Sequence, residues 1–129
     1  MQVTRIFTGE DGRSHFEDLE IPRTDLGPPL GEISASVPSV SSFFRSTRTD
    51  GDEDVYDYHC APQRQFVIHL KGAVEIEVGD GTMRRFGVGD VLLADDTTGQ
   101  GHISRGVETP REQVFIVVPD DLDMEPWRT

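Results

Sequence analysis

The sequence predicts an all-β domain, and three observations predict it. Thirteen glycines and eight prolines punctuate short segments rich in Val, Ile and Phe. No segment sustains the apolar spacing i, i+3, i+4, i+7 of an amphipathic helix. Val74, Ile76 and Val78 alternate with Ala73, Glu75 and Glu77, the period of a half-buried strand.

Taken in order, residues 3–8 and 14–21 flank Gly9-Glu10-Asp11-Gly12 and have the outline of a hairpin. Their polarity predicts peripheral strands. Residues 22–38 contain Pro22, Pro28, Pro29, Pro38, Gly27 and Gly31, which predicts a long crossing loop. Residues 40–47 read as a strand with Phe43 and Phe44 on opposite faces. The acidic run at 49–54 predicts a solvated turn, since a calcium loop needs more regularly spaced ligands.

The chain is organised around residues 57–72. A strand carrying His59 turns through Ala61-Pro62 and re-enters over 64–71, with Gln65, Val67 and His69 on one face and a reversal at Gly72. The alternating strand 73–78 follows, then the turn Gly79-Asp80-Gly81, a return strand at 82–86, the turn Gly87-Val88-Gly89-Asp90 and a short apolar strand at 91–94. Residues 95–101 are a polar loop. Strands are predicted at 102–107 and at 113–118, the second apolar enough for burial on both faces. The last ten residues, with Trp127, predict a tail that covers an open edge or docks on a partner subunit. Short strands joined by glycine-rich turns indicate a sandwich or small barrel.

A chain of 129 residues forms one domain with one continuous core. Its net charge of −12 repels phosphate backbones, so nucleic acid is excluded as a partner. No apolar run approaches the roughly eighteen residues of a membrane span, and the first five residues lack a signal-peptide pattern, so no membrane partner and a cytoplasmic location are expected. Cys60 is the single cysteine, which excludes an intrachain disulfide and a thiolate metal cluster.

The order of a strand with His59, a turn, Gln65-Phe66-Val67-Ile68-His69-Leu70-Lys71-Gly72, then Gly89-Asp90-Val91 and His102 resembles the cupin family over residues 55–118. Cupins carry His-x-His, three or four residues, Glu, six residues and Gly. By that count His59 matches the first histidine, Ala61 stands at the second, and Gln65 takes the glutamate position. In the second motif Gly89-Asp90 matches the opening, the Pro-x-Gly turn is replaced by a longer loop at 95–101, and His102 matches the histidine. The resemblance implies a cupin-type jelly roll over residues 1–129, with its core at 39–118, N-terminal strands and crossing loop at 1–38, and a tail at 119–129. It also implies a homodimer, and a metal set of His59, Gln65 and His102 for iron, manganese, nickel, copper or zinc.

Other residues compete for roles in the same pocket. Alternation puts Asp57 on the face of His59 and His69 on the face of Gln65, so Asp57 can supply a carboxylate and His69 a third imidazole. Arg64, Tyr56, Tyr58, Phe66 and Phe115 are further lining candidates. Asp95 and Asp96 precede His102, where a carboxylate can orient the imidazole for acid–base work. Cys60 alternates away from His59 and reads as structural, and His15 as a surface histidine. The leading functional expectation is an enzyme acting on a small organic molecule through a weakly ligated divalent metal, dioxygenase-like or isomerase-like. The alternatives are a metal-free epimerase or cyclase, and a non-catalytic barrel that binds a small-molecule ligand.

Overall fold

The computed structural model describes residues 1–47 and 55–128, excluding the side chains of Val55 and Tyr56. The acidic turn expected at 49–54 lies outside the described residues.

The chain is all-β. Its strands are β1 (Gln2–Thr8), β2 (Ser14–Glu20), β3 (Arg23–Asp25), β4 (Glu32–Ser34), β5 (Ser41–Thr47), β6 (Val55–His59), β7 (Gln65–Glu77), β8 (Met83–Phe86), β9 (Val91–Asp95) and β10 (His102–Val117). Eight form one mixed sheet in the order β2-β1-β9-β7-β10-β5, with β6 added to β10 and β8 to β7. Among the described residues the ladder ends at β2 and β5 rather than closing into a barrel. Among the described residues the one helical turn is Glu125–Trp127, and no helix is long and apolar enough to cross a membrane.

Two long bent strands bring distant residues together. The chain does not reverse at Gly72, because β7 continues through it to Glu77. Gly72 has φ 79°, and a Cβ there would lie 2.5 Å from Glu108 O, so a side chain would collide with the neighbouring backbone. Opposite it, β10 shifts register between Gly106 and Gln113, joining what alternation predicts as two separate strands. The first half of β7 therefore pairs with β9 and the end of β10, and its second half with β8 and the start of β10.

The hairpin of β1 and β2 forms as expected, but β1 is not peripheral. It pairs in parallel with β9, and Val3 and Ile6 are fully buried. A strand with only two strongly apolar core positions looks polar in sequence, although those two set its burial. The 22–38 segment is not wholly loop, since β3 and β4 form a separate two-stranded ribbon.

Alternation then divides the sheet faces. Phe66 and Leu93 turn to one side, joining Val3, Leu19, Val118, Met124 and Trp127 in a core cluster. The tail packs here on its own chain, with the Trp127 ring 6.1 Å from that of Phe66. Val67 and Leu92 turn to the other side with Val74 and Ile76, toward the cavity described next.

Candidate functional site

A cavity of about 450 Å³ lies between the two halves of the bent sheet. Its apolar wall includes Val67, Val74, Ile76, Leu92 and Phe115. Its polar lining includes His59, Gln65, His69 and His102, together with Arg45, Ser104, Arg111 and Gln113, and no Asp or Glu is among the described lining residues.

His59 ends β6 and His102 begins β10, and the two are register partners. Their rings approach to 4.6 Å between centroids, tilted by 55°. His102 is buried and His59 exposed, so the pair spans from the interior to the rim. Asp96 holds His102 from behind: its carboxylate is fully buried, and Oδ2 lies 2.5 Å from His102 Nδ1. The other oxygen, Oδ1, is buried with no hydrogen-bond partner among the described residues. The backbone of Asp96 is fixed in turn, since its carbonyl accepts the Ala61 N–H at 3.1 Å.

His59 has a matching tether. Its Nδ1 lies 2.8 Å from the Asp57 carbonyl oxygen, which can only accept, so Nδ1 donates. The neutral forms of both rings thus carry the proton on Nδ1 and the lone pair on Nε2, the tautomer used by basic and metal-ligating histidines.

Gln65 is buried and pairs in register with Ala94, two residues before Asp96. It belongs to the imidazole end of the cavity, and its Oε1 accepts from Gln63 Nε2 at 3.4 Å. His69 lines the same cavity but does not join the other imidazoles in a metal-holding cluster. It is four residues along β7, about 13 Å from Gln65, and its Nε2 faces Arg111 Nη1 and Gln113 Nε2 at 3.4 Å each.

Several candidates stand elsewhere. Arg64 is one residue out of phase with Gln65 and leaves the cavity; its Nε donates to Asp95 Oδ1 at 2.8 Å. Asp95 also takes Arg5 at 2.8 Å, which anchors the outer face rather than His102. Asp57 contributes its carbonyl to His59, while its exposed carboxylate accepts the Tyr58 N–H at 2.7 Å. Tyr58 turns its hydroxyl to Glu77, 3.3 Å away, and Phe66 turns to the Trp127 cluster. The Tyr56 side chain lies outside the described residues. Cys60 lines the cavity, because β6 ends at His59 and alternation stops there.

Arg45, Ser104, Arg111 and Gln113 are lining residues that the sequence reading does not single out. A signal was present: Arg111, Gln113 and Phe115 share one face at period two, with polar groups leading into an apolar run.

For a divalent ion, His59, His102 and Gln65 offer two imidazoles and a neutral amide. Among the described residues no three His, Cys, Asp or Glu side chains converge on one point. The Asp96 carboxylate is engaged by His102 Nδ1. This donor set fits a weakly held ion with open positions and not a tightly held one. No protein-family model matches the chain, and no curated protein is significantly similar to it.

Proposed function

We propose that this chain is a small cupin-type jelly-roll protein, paired as a homodimer, whose cavity binds a small organic molecule and exchanges protons with it through His102 and His59. The reaction class is that of a metal-free epimerase or cyclase. The observation that carries this reading is the buried Asp96–His102 contact beside His59 at the edge of a largely apolar cavity. Asp96 positions the ring and holds its proton at Nδ1, so Nε2 accepts a proton from the bound molecule, while His59 in its doubly protonated imidazolium form returns one from its own Nε2 and is left neutral. The apolar wall limits competing hydration of the reacting atoms.

A second reading is favoured by the same pair of tethered Nδ1 atoms. His59, His102 and Gln65 would hold a weakly bound divalent metal, which when bound would act as a Lewis acid on a ligand oxygen.

Solvent-exchange measurements separate the readings. Metal-depleted protein is incubated in D₂O with a panel of small keto and hydroxy acids, and deuterium incorporation is followed by NMR. Incorporation that falls by about 10²-fold or more in His102→Asn supports proton transfer. Incorporation that needs added metal transfers the support to the second reading. Exchange indifferent to His102→Asn overturns both, and saturable binding with no exchange leaves a non-catalytic small-molecule binding protein.

A further inference from the structure

We propose that Gln65 and Ser104 form a neutral oxyanion seat beside His102, and that the molecule this cavity takes is a carbonyl compound with an acidic α-C–H bond and an apolar body. The inference rests on the proton-transfer reading above and names the donors and the substrate class which that reading needs.

Gln65 opens β7, and Ser104 stands two residues after His102 on the same face of β10, about 7 Å along the strand. Gln65 is in register with Ala94 on one half of the bent sheet, and Ser104 with Ile76 on the facing half. Both side chains line the cavity, at 4% and 9% exposure.

The amide has a defined orientation. Gln63 Nε2 can only donate and lies 3.4 Å from Gln65 Oε1, so Gln65 turns its oxygen to Gln63 and leaves its NH₂ for the cavity. A metal ion needs that oxygen, whereas a carbonyl oxygen needs the NH₂. Among the described residues neither Gln65 Nε2 nor Ser104 Oγ has a hydrogen-bond partner, and neither is sealed off as Asp96 Oδ1 is. An oxygen of the bound molecule supplies the acceptor that both donors lack.

Two donors without charge suit an oxygen that is neutral at rest and gains negative charge as the reaction proceeds. The α-C–H bond breaks, its proton goes to His102 Nε2, and its electron pair moves into the carbonyl, placing the charge on the oxygen held by Gln65 and Ser104. A proton returned to that carbon by the His59 imidazolium re-forms the C–H bond and the carbonyl, and no oxidant or reductant is consumed.

The rest of the molecule is defined by the apolar wall. Phe43, Phe115, Val67 and Leu92 are register partners across four strands, and the two rings are stacked at 4.7 Å. This wall takes an alkyl or aryl group and favours it over a polyhydroxylated one.

The full chain, depleted of metal, is titrated with phenylacetone and with propylbenzene, in which a methylene replaces the carbonyl, and exchange at the α-carbon of the ketone is followed in D₂O. Gln65→Met and Ser104→Ala are each expected to weaken phenylacetone binding about tenfold and to leave propylbenzene unchanged. Each should also slow exchange by about 10²-fold or more without moving its pH profile, since neither group titrates near a histidine. Ser104→Ala deletes a single oxygen, so it carries the test if Gln65→Met does not fold. Absence of saturable phenylacetone binding, a ketone affinity indifferent to both variants, or a parallel loss for propylbenzene overturns the seat. Ketone binding that depends on both donors without deuterium exchange keeps the seat and removes the proton-transfer reading. Exchange that depends on His102 and on neither donor does the reverse.

Discussion

Asp96 Oδ2 and His102 Nδ1 are 2.5 Å apart in the protein interior, and the contact sets which nitrogen of His102 carries its proton. Asp96→Ala removes the acceptor and leaves a buried donor unsatisfied, at a cost of about 1–3 kcal/mol. Chemical denaturation should show that loss, and ¹⁵N imidazole spectra should show His102 passing from one tautomer to a mixture. An unchanged spectrum would mean that another group orients the ring.

Gly101 lets the two histidines meet. It has φ 80°, and a Cβ there would overlap the backbone of His59 and Cys60. Gly101→Ala is expected to destabilise the fold by on the order of 3 kcal/mol, from strain and displacement of β6. Nuclear Overhauser contacts between the two imidazole rings should disappear in the same variant.

Trp127 is 7% exposed and closes the core cluster that contains Phe66. Trp127→Ala should cost about 3–5 kcal/mol. A loss below about 1 kcal/mol in urea titration would show that the tail is dispensable.

His15 gives a pH signature away from the cavity. Its pKa is raised, first by the hydrogen bond to Asp11 and then by Asp80, both at 3.1 Å. The Asp11 carboxyl is lowered by the Arg13 backbone N–H and then by His15, and Asp80 is lowered by Thr82 and then by His15. The histidine contribution is complete below its unfolded value of about 6.5 and disappears as pH rises through the higher folded value. The carboxylate contributions are complete above about 4 and fade as pH falls through the lowered folded values. The stability difference between wild type and His15→Gln should therefore be largest below about pH 6.5, above the range where the carboxylates protonate, and shrink as pH rises through the raised folded value. A pH-independent difference would show that His15 acts by packing alone.

The proposed homodimer has a candidate surface in β5, the end strand of the ladder, where Phe44 is 76% exposed. Sedimentation velocity at micromolar concentration should give a dimer for the wild type and a shift toward monomer for Phe44→Asp. A monomeric wild type would refute the pairing.

The sequence by itself determined the strand content, the positions of most turns and which residues share a face. Those properties are local: period-two alternation places Gln65, Val67 and His69 together whatever the rest of the chain does. It also placed Arg64 and Asp95 close to the residues that matter, but side-chain phase sends both outward to each other. The bends at Gly72 and at 107–112, the approach of His59 to His102, and the row of Arg45, Gln113 and His69 were decided only by tertiary structure. Each depends on inter-strand register between segments tens of residues apart, and a one-residue slip would turn every one of those side chains to the other face.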